Sequence, residues 1–277
     1  MPAQHVLYAL VTSLLLALSP SAGAAEVPAA PAVDVPQLQA QAEAGDSAAQ
    51  FRLGTLYEFG QQGLAQDNQL ALGWLVKAAE QGYAPAQASV GALYLFELEG
   101  VTADYGLART WLQRAAEQND PRAQYNLGVI YRDSLGVERD TLLAIEWFER
   151  AAEQGDVQAQ YNLGVLYENP GIDQPDKAHK WYRLAAAQGF AAAQFNLGVL
   201  YFQGNGVTAD PVLGYALLWL AEANAPVSDE DLPAPHEQAE ETMQEQQVAA
   251  GEVLASQLQK NFSVTLERYL ATTTAAQ

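Results

Sequence analysis

Residues 155–167 read GDVQAQYNLGVLY, and four other stretches of the chain say nearly the same thing. They are GDSAAQFRLGTLY at 45–57, GYAPAQASVGALY at 82–94, NDPRAQYNLGVIY at 119–131 and GFAAAQFNLGVLY at 189–201. The shared glycine falls at Gly54, Gly91, Gly128, Gly164 and Gly198, spaced by 37, 37, 36 and 34 residues. A tyrosine follows in step at Tyr57, Tyr94, Tyr131, Tyr167 and Tyr201. A period of this length marks an array of small supersecondary units.

A second phrase follows each of the first four copies: WLVKAAEQG from Trp74, WLQRAAEQN from Trp111, WFERAAEQG from Trp147 and WYRLAAAQG from Trp181. The fifth copy departs, because LLWLAEANA puts Leu217 in the tryptophan place and Trp219 two residues later. Both phrases have helical period. Gln124, Leu127, Gly128 and Tyr131 fall at i, i+3, i+4 and i+7, one face of a helix. Trp147, Ala151 and Ala152 make a second one-sided stripe.

Glycine inside a helix costs about 1 kcal/mol against alanine. Five in register therefore predict close approach by a neighbouring helix, where a methyl group would clash. Asp67, Asp104, Asp140 and Asp210 are placed to cap the second helix. Pro211 suits the position after its cap. Gly82, Asn119, Gly155 and Gly189 are placed to end that helix. The fold class is all-α. It is a right-handed alpha-solenoid of five antiparallel helix-pair repeats, about 45–81, 82–118, 119–154, 155–188 and 189–225, with a C-terminal capping helix. The fourth unit has a shortened loop.

The phrase A-Q-x-x-L-G-x-x-Y, a G-x-G-V loop and W-x-x-x-A-A-x-x-G resembles the Sel-one-like repeats (SLR), relatives of the tetratricopeptide repeats. The resemblance covers about residues 45–225. It implies an adaptor or scaffold for protein complexes, of a type that in bacteria is sometimes secreted. Residues 37–44 then look like the remnant second helix of a preceding unit. The resemblance carries no catalytic site. Some cysteine-rich relatives were linked to β-lactam binding or hydrolysis, but this chain has no cysteine to form their helix-pair disulfides.

Outside the repeats, residues 1–25 read as a secretory leader. Val6 to Leu18 is too short an apolar run to cross a ~30 Å hydrocarbon core. Ala22-Gly23-Ala24 fits a cleavage site, with Ala25 a near alternative. The start of the leader carries no Lys or Arg, so an uncleaved anchor is the competing reading. Cleavage predicts a periplasmic or secreted protein with no stable membrane span. Residues 26–36 and 226–235 read as Pro-rich linkers, the second of them acidic. Residues 236–270 read as a helix interrupted at Gly251, ahead of a tail to 277. Leu254, Leu258, Phe262, Leu266 and Tyr269 would cover the open end of the solenoid; a partner-docking arm is the alternative.

The chain carries 33 acidic and 13 basic side chains, a formal charge of −20. That argues against nucleic acid and favours solubility and basic partners. No glycine loop fits a nucleotide. The three histidines have no metal-ligand spacing. His179 reads as a surface residue. No cofactor and no catalytic residues are expected, and a protein or peptide is the expected partner.

The candidate contact surface lies on the first helix of each pair. Positions three before, one after and four after the glycine share a stripe. It holds Phe51, Ala88, Tyr125, Tyr161 and Phe195, with Thr55, Ala92, Val129, Val165 and Val199, then Glu58, Leu95, Arg132, Glu168 and Phe202. Phe51, Tyr125, Tyr161 and Phe195 are candidate anchors in a concave groove. The competing reading packs these aromatics between adjacent first helices. Asn126, Asn162 and Asn196 share a place and read as structural. The alternative function is an envelope enzyme or cell-wall glycan binder using the same aromatics and carboxylates.

Overall fold

The computed structural model describes residues 34–225 and 235–274. The expected leader lies outside the described residues, as do residues 26–33 and 226–234 of the two linkers. Among the described residues there are fourteen α-helices and one isolated β-bridge, Leu98 to Val101.

Helix α1 (Val35–Glu43) precedes the repeats. The five pairs are α2 (Ser47–Phe59) with α3 (Asn68–Glu80), α4 (Ala84–Leu93) with α5 (Tyr105–Glu117), and α6 (Pro121–Asp133) with α7 (Thr141–Glu153). Then come α8 (Val157–Glu168) with α9 (Pro175–Ala187), and α10 (Ala191–Gln203) with α11 (Pro211–Asn224). The tail holds α12 (Pro235–Glu240), α13 (Glu245–Lys260) and α14 (Phe262–Thr274). Each first helix packs most closely on its own second helix, and each second helix packs on the next first helix.

The expected caps are in place. Asp67, Asp104, Asp140 and Asp210 each accept the backbone N–H three residues on, at 2.8–3.0 Å. Asp34, Asp46, Asp120 and Asp156 do the same for α1, α2, α6 and α8. The second helix of the fourth pair differs: Gln174 caps it without a side-chain bond, after the shortened loop. Gly82, Asn119, Gly155 and Gly189 follow the second helices with φ of 86°, 66°, 93° and 83°. The left-handed turn is strained for most side chains, and Asn is among the few that tolerate it.

The glycine columns face helices of the same pair. A Cβ on Gly54 would lie 2.7 Å from the Leu75 side chain, on Gly91 2.5 Å from Leu112, and on Gly128 2.6 Å from the Phe148 ring. At Gly198 the opposing group is the backbone of Gly214, whose own added Cβ would meet the Phe202 backbone at 2.9 Å. Two glycines face each other there, so the fifth pair closes backbone on backbone. Leu217 fills the tryptophan place and is fully buried, while Trp219 is half-buried.

The tail is three helices rather than one broken at Gly251. The breaks fall before α13 and at Asn261. Gly251 lies inside α13 because its bare Cα accepts the Tyr215 ring, 2.5 Å from where a Cβ would stand. Leu254, Ala255, Leu258 and Leu266 are buried in one cluster with α11. Tyr215, Leu218 and Ala239 form a second, with Val199, Phe202, Met243 and Val248 against it. These contacts cap the open end, whose last pair would otherwise expose an apolar face. At the other end α1 starts two residues before the expected 37, since Pro36 is tolerated in a first turn.

Candidate functional site

The first helices place the candidate stripe, and its aromatics answer to the repeat geometry. The Phe51 ring lies 5.4 Å from Tyr83, and Tyr161 lies 5.1 Å from Phe190. Tyr83 and Phe190 stand where Asp caps other first helices. At the joint between the third and fourth repeats Tyr125 donates from its hydroxyl to Gln158 Oε1 at 3.2 Å. Each ring thus packs on the start of the following repeat. Phe195 belongs to the last repeat, has no following start to pack on, and is 38% exposed. Burial pushes the Tyr125 phenol up to about 12, so it stays a hydroxyl donor.

The structure splits the eight candidates. Phe51, Tyr125 and Tyr161 are half-buried and packed. Phe202 packs under the tail cluster. Glu168 accepts the Tyr182 hydroxyl at 2.5 Å; burial, then that carboxylate, raise the Tyr182 phenol. Arg132 bonds Asp133 at 2.7 and 2.6 Å and donates to Asn162 Oδ1. Glu58 is half-buried, with no hydrogen bond to its side chain among the described residues. Phe195, together with Val165 at 42% exposed, offers apolar surface.

Burial pushes the Glu58 carboxyl up to about 7, against the pull of the Arg122 guanidinium. A carboxyl raised by folding holds its proton more tightly in the native state. Its contribution is present below the unfolded value of 4.5 and is lost as pH rises through about 7. Glu58→Gln should therefore stabilise the protein at pH 8 by about 1–2 kcal/mol, discounted for partial exposure, and leave it unchanged at pH 4. Denaturant unfolding at both pH values measures this. An equal effect at both would remove the desolvation cause.

One buried polar column lies outside the aromatic stripe. Gln50, Gln87, Gln124, Gln160 and Gln194 are buried. Four donate their amide to the carbonyl eight residues back, on the preceding second helix: Gln50 to Ala42, Gln87 to Ala79, Gln160 to Ala152 and Gln194 to Ala186, at 3.0–3.1 Å. Gln124 turns to the Asn119 side chain at 3.0 Å instead, because asparagine stands there in place of glycine. Each column member also accepts an amide from the end of its own second helix: Gln81, Gln118, Gln154, Gln188 and Asn224, at 2.7–2.9 Å. The signal was visible in the sequence as a Gln four before every glycine. The Asn column is less uniform: Asn162 donates to its own helix at Gln158. His179, expected at the surface, is half-buried and meets the Tyr201 hydroxyl at 2.9 Å. Burial lowers its imidazole.

The charge is not on the repeat helices. The ten repeat helices carry equal numbers of acidic and basic side chains. The excess acid sits in capping aspartates, in the loops and in the tail. The helical faces do not share the −20 of the whole chain, which removes the argument for a basic partner.

A family model described as Sel1 repeat matches residues 47–83, 84–120, 121–156, 157–190 and 191–224. The crystal structure of a protective antigen of uropathogenic Escherichia coli strains, with an SLR fold, is 34% identical at a TM-score of 0.71. The match covers 86% of this chain and 50% of that one, so this chain spans about half its length. A Sel1 repeat protein from Oxalobacter formigenes is 24% identical, with a TM-score of 0.60 over 77% of this chain and 90% of that one. An immunity protein from Pseudomonas aeruginosa is 23% identical, with a TM-score of 0.50 over 76% and 79%. These last two show the fold alone. No curated protein matches the chain.

Proposed function

The chain belongs to the Sel1 repeat family, and we propose that it is a non-catalytic scaffold of the bacterial cell envelope that holds a partner protein or peptide across its first helices. Sel1 repeat proteins are generally protein-interaction scaffolds. The observation that carries the reading here is the exposed apolar surface at Val165 and Phe195 on α8 and α10, on helix faces whose charges balance. Solvent-exposed aliphatic and aromatic groups of this kind suit the anchors of an interface. The three packed rings fix the spacing of the first helices and hold that surface in shape. Phe51, Tyr125 and Tyr161 contribute to a partner contact through their open edges. The expected leader at 1–25, and the likeness to a protective antigen, support export.

Photo-crosslinking in the native envelope tests this. A benzophenone side chain replacing Phe195 or Val165 should capture a discrete protein. The same group replacing Leu142, which is 71% exposed on the second helix α7, should not. Phe195→Ala should lower capture from position 165 about tenfold with unchanged unfolding. Capture of glycan alone, or equal capture from position 142, would overturn the reading.

A further inference from the structure

The joints between repeats also create sites on the second-helix side. There the tyrosine of one repeat faces three positions on the preceding second helix, two before and two and three after its tryptophan. Between the third and fourth repeats, Tyr167 donates to Glu149 at 2.7 Å. Between the fourth and fifth, Tyr201 pairs with His179. Further along that helix, Arg183 and Leu184 share a crevice of about 140 Å³ with Phe262, Leu266 and Glu267 of α14. So one joint is satisfied internally, and the next lies beside a carboxylate-bearing helix of the same chain.

The joint between the second and third repeats is neither. A depression of about 340 Å³ is lined by Arg109, Thr110, Gln113 and Arg114 of α5 and Tyr131 of α6. Thr110 donates to the Gly106 carbonyl at 2.8 Å, and Gln113 to Glu117 at 3.3 Å. The Arg114 guanidinium lies 4.7 Å from the Trp111 ring centre, which steadies it. Neither arginine is in an ion pair among the described residues, and the Tyr131 hydroxyl has no hydrogen-bond partner there. Two arginines and a tyrosine thus line one depression with no side-chain acceptor among the described residues, where Tyr167 has Glu149.

We propose that this depression is a carboxylate-recognition site that takes an acidic side chain of a partner protein, as a second contact surface apart from the stripe that holds Val165 and Phe195. Guanidinium groups match a carboxylate with paired charge-assisted hydrogen bonds. Two repeats along, Arg183 shares its crevice with Glu267 of α14, a carboxylate of the same chain. The proposal does not depend on the first-helix surface, and its probe differs from the one used there.

The test is a titration of the full chain with a tetraglutamate peptide blocked at both ends, followed by NMR at fixed ionic strength. Saturable shifts are expected at the Arg109 and Arg114 side chains and at Tyr131. Arg109→Gln with Arg114→Gln should weaken binding at least tenfold, and Tyr131→Phe about threefold. Arg52→Gln, an exposed cation on α2, should leave it unchanged. Inorganic phosphate, titrated in parallel, should bind more weakly than the peptide. Shifts that do not saturate, an equal loss from Arg52→Gln, or tighter binding of phosphate would each overturn the proposal.

Discussion

Gly164→Ala should destabilise the protein by about 3 kcal/mol or more, while Gly73→Ala, also a single methyl inside a helix, should stabilise it by about 0.5–1 kcal/mol. The opposite signs follow from what each methyl meets. Gly73 lies on the exposed side of α3 with nothing within 4 Å of its added Cβ. Alanine there only reduces the freedom of the unfolded chain. At Gly164 the added carbon falls on the Tyr182 ring. That ring cannot swing aside, because it is fully buried and its hydroxyl is held by Glu168 at 2.5 Å. The clash must then separate α8 from α9. In a solenoid that loosening passes to the neighbouring joints, since each unit is stabilised by contact with the next. Denaturant unfolding of the two variants side by side is the measurement. If both shift stability in the same direction, close helix approach is not the reason for the glycine column.

Most of the architecture was legible because it repeats. One glycine inside a helix is ambiguous; five in register require a common cause, and each proved to face a second-helix group. The caps were legible because an aspartate ahead of a helix has a local partner, the N–H three residues on. The tail was less legible, because nothing repeats there. Gly251 looked like a break, but it is an acceptor for the Tyr215 ring supplied from a distant helix. His179 looked exposed from its charged neighbours, yet Tyr201 of the next repeat covers it. For the candidate surface, residue type suggested four equivalent aromatics. Position in the array makes them unequal: Phe51, Tyr125 and Tyr161 each have a following repeat, and Phe195 does not. The net charge misled for a related reason. Composition counts every aspartate alike, whereas eight of them cap helices.

Gln160→Leu should cost about 2 kcal/mol, and Gln160→Glu about 3 kcal/mol or more at neutral pH. Leucine fills a similar volume but removes two hydrogen bonds. The Ala152 carbonyl loses a donor at 3.1 Å, and the Gln188 amide loses an acceptor at 2.8 Å while keeping the Gly155 carbonyl at 3.1 Å. Glutamate keeps the acceptor and changes the sign at the other end. A carboxylate would face the Ala152 carbonyl with no proton between two oxygens, in a place only 4% exposed. Burial would raise that carboxyl, so the variant is the least destabilised below the ordinary carboxylate range, where the protonated group can donate as the amide did. Its stability should fall as pH rises through the raised value. Gln160→Leu should show no such added pH dependence. Unfolding of both variants between pH 4 and pH 8 separates the two effects. Parallel curves would mean that the column is held by packing alone. Converging curves on acidification would show that a donor aimed at the preceding helix is what the glutamine supplies. The joint between the third and fourth repeats would then be specified by hydrogen bonding as well as by shape, which explains why a polar side chain recurs at one buried place in every unit.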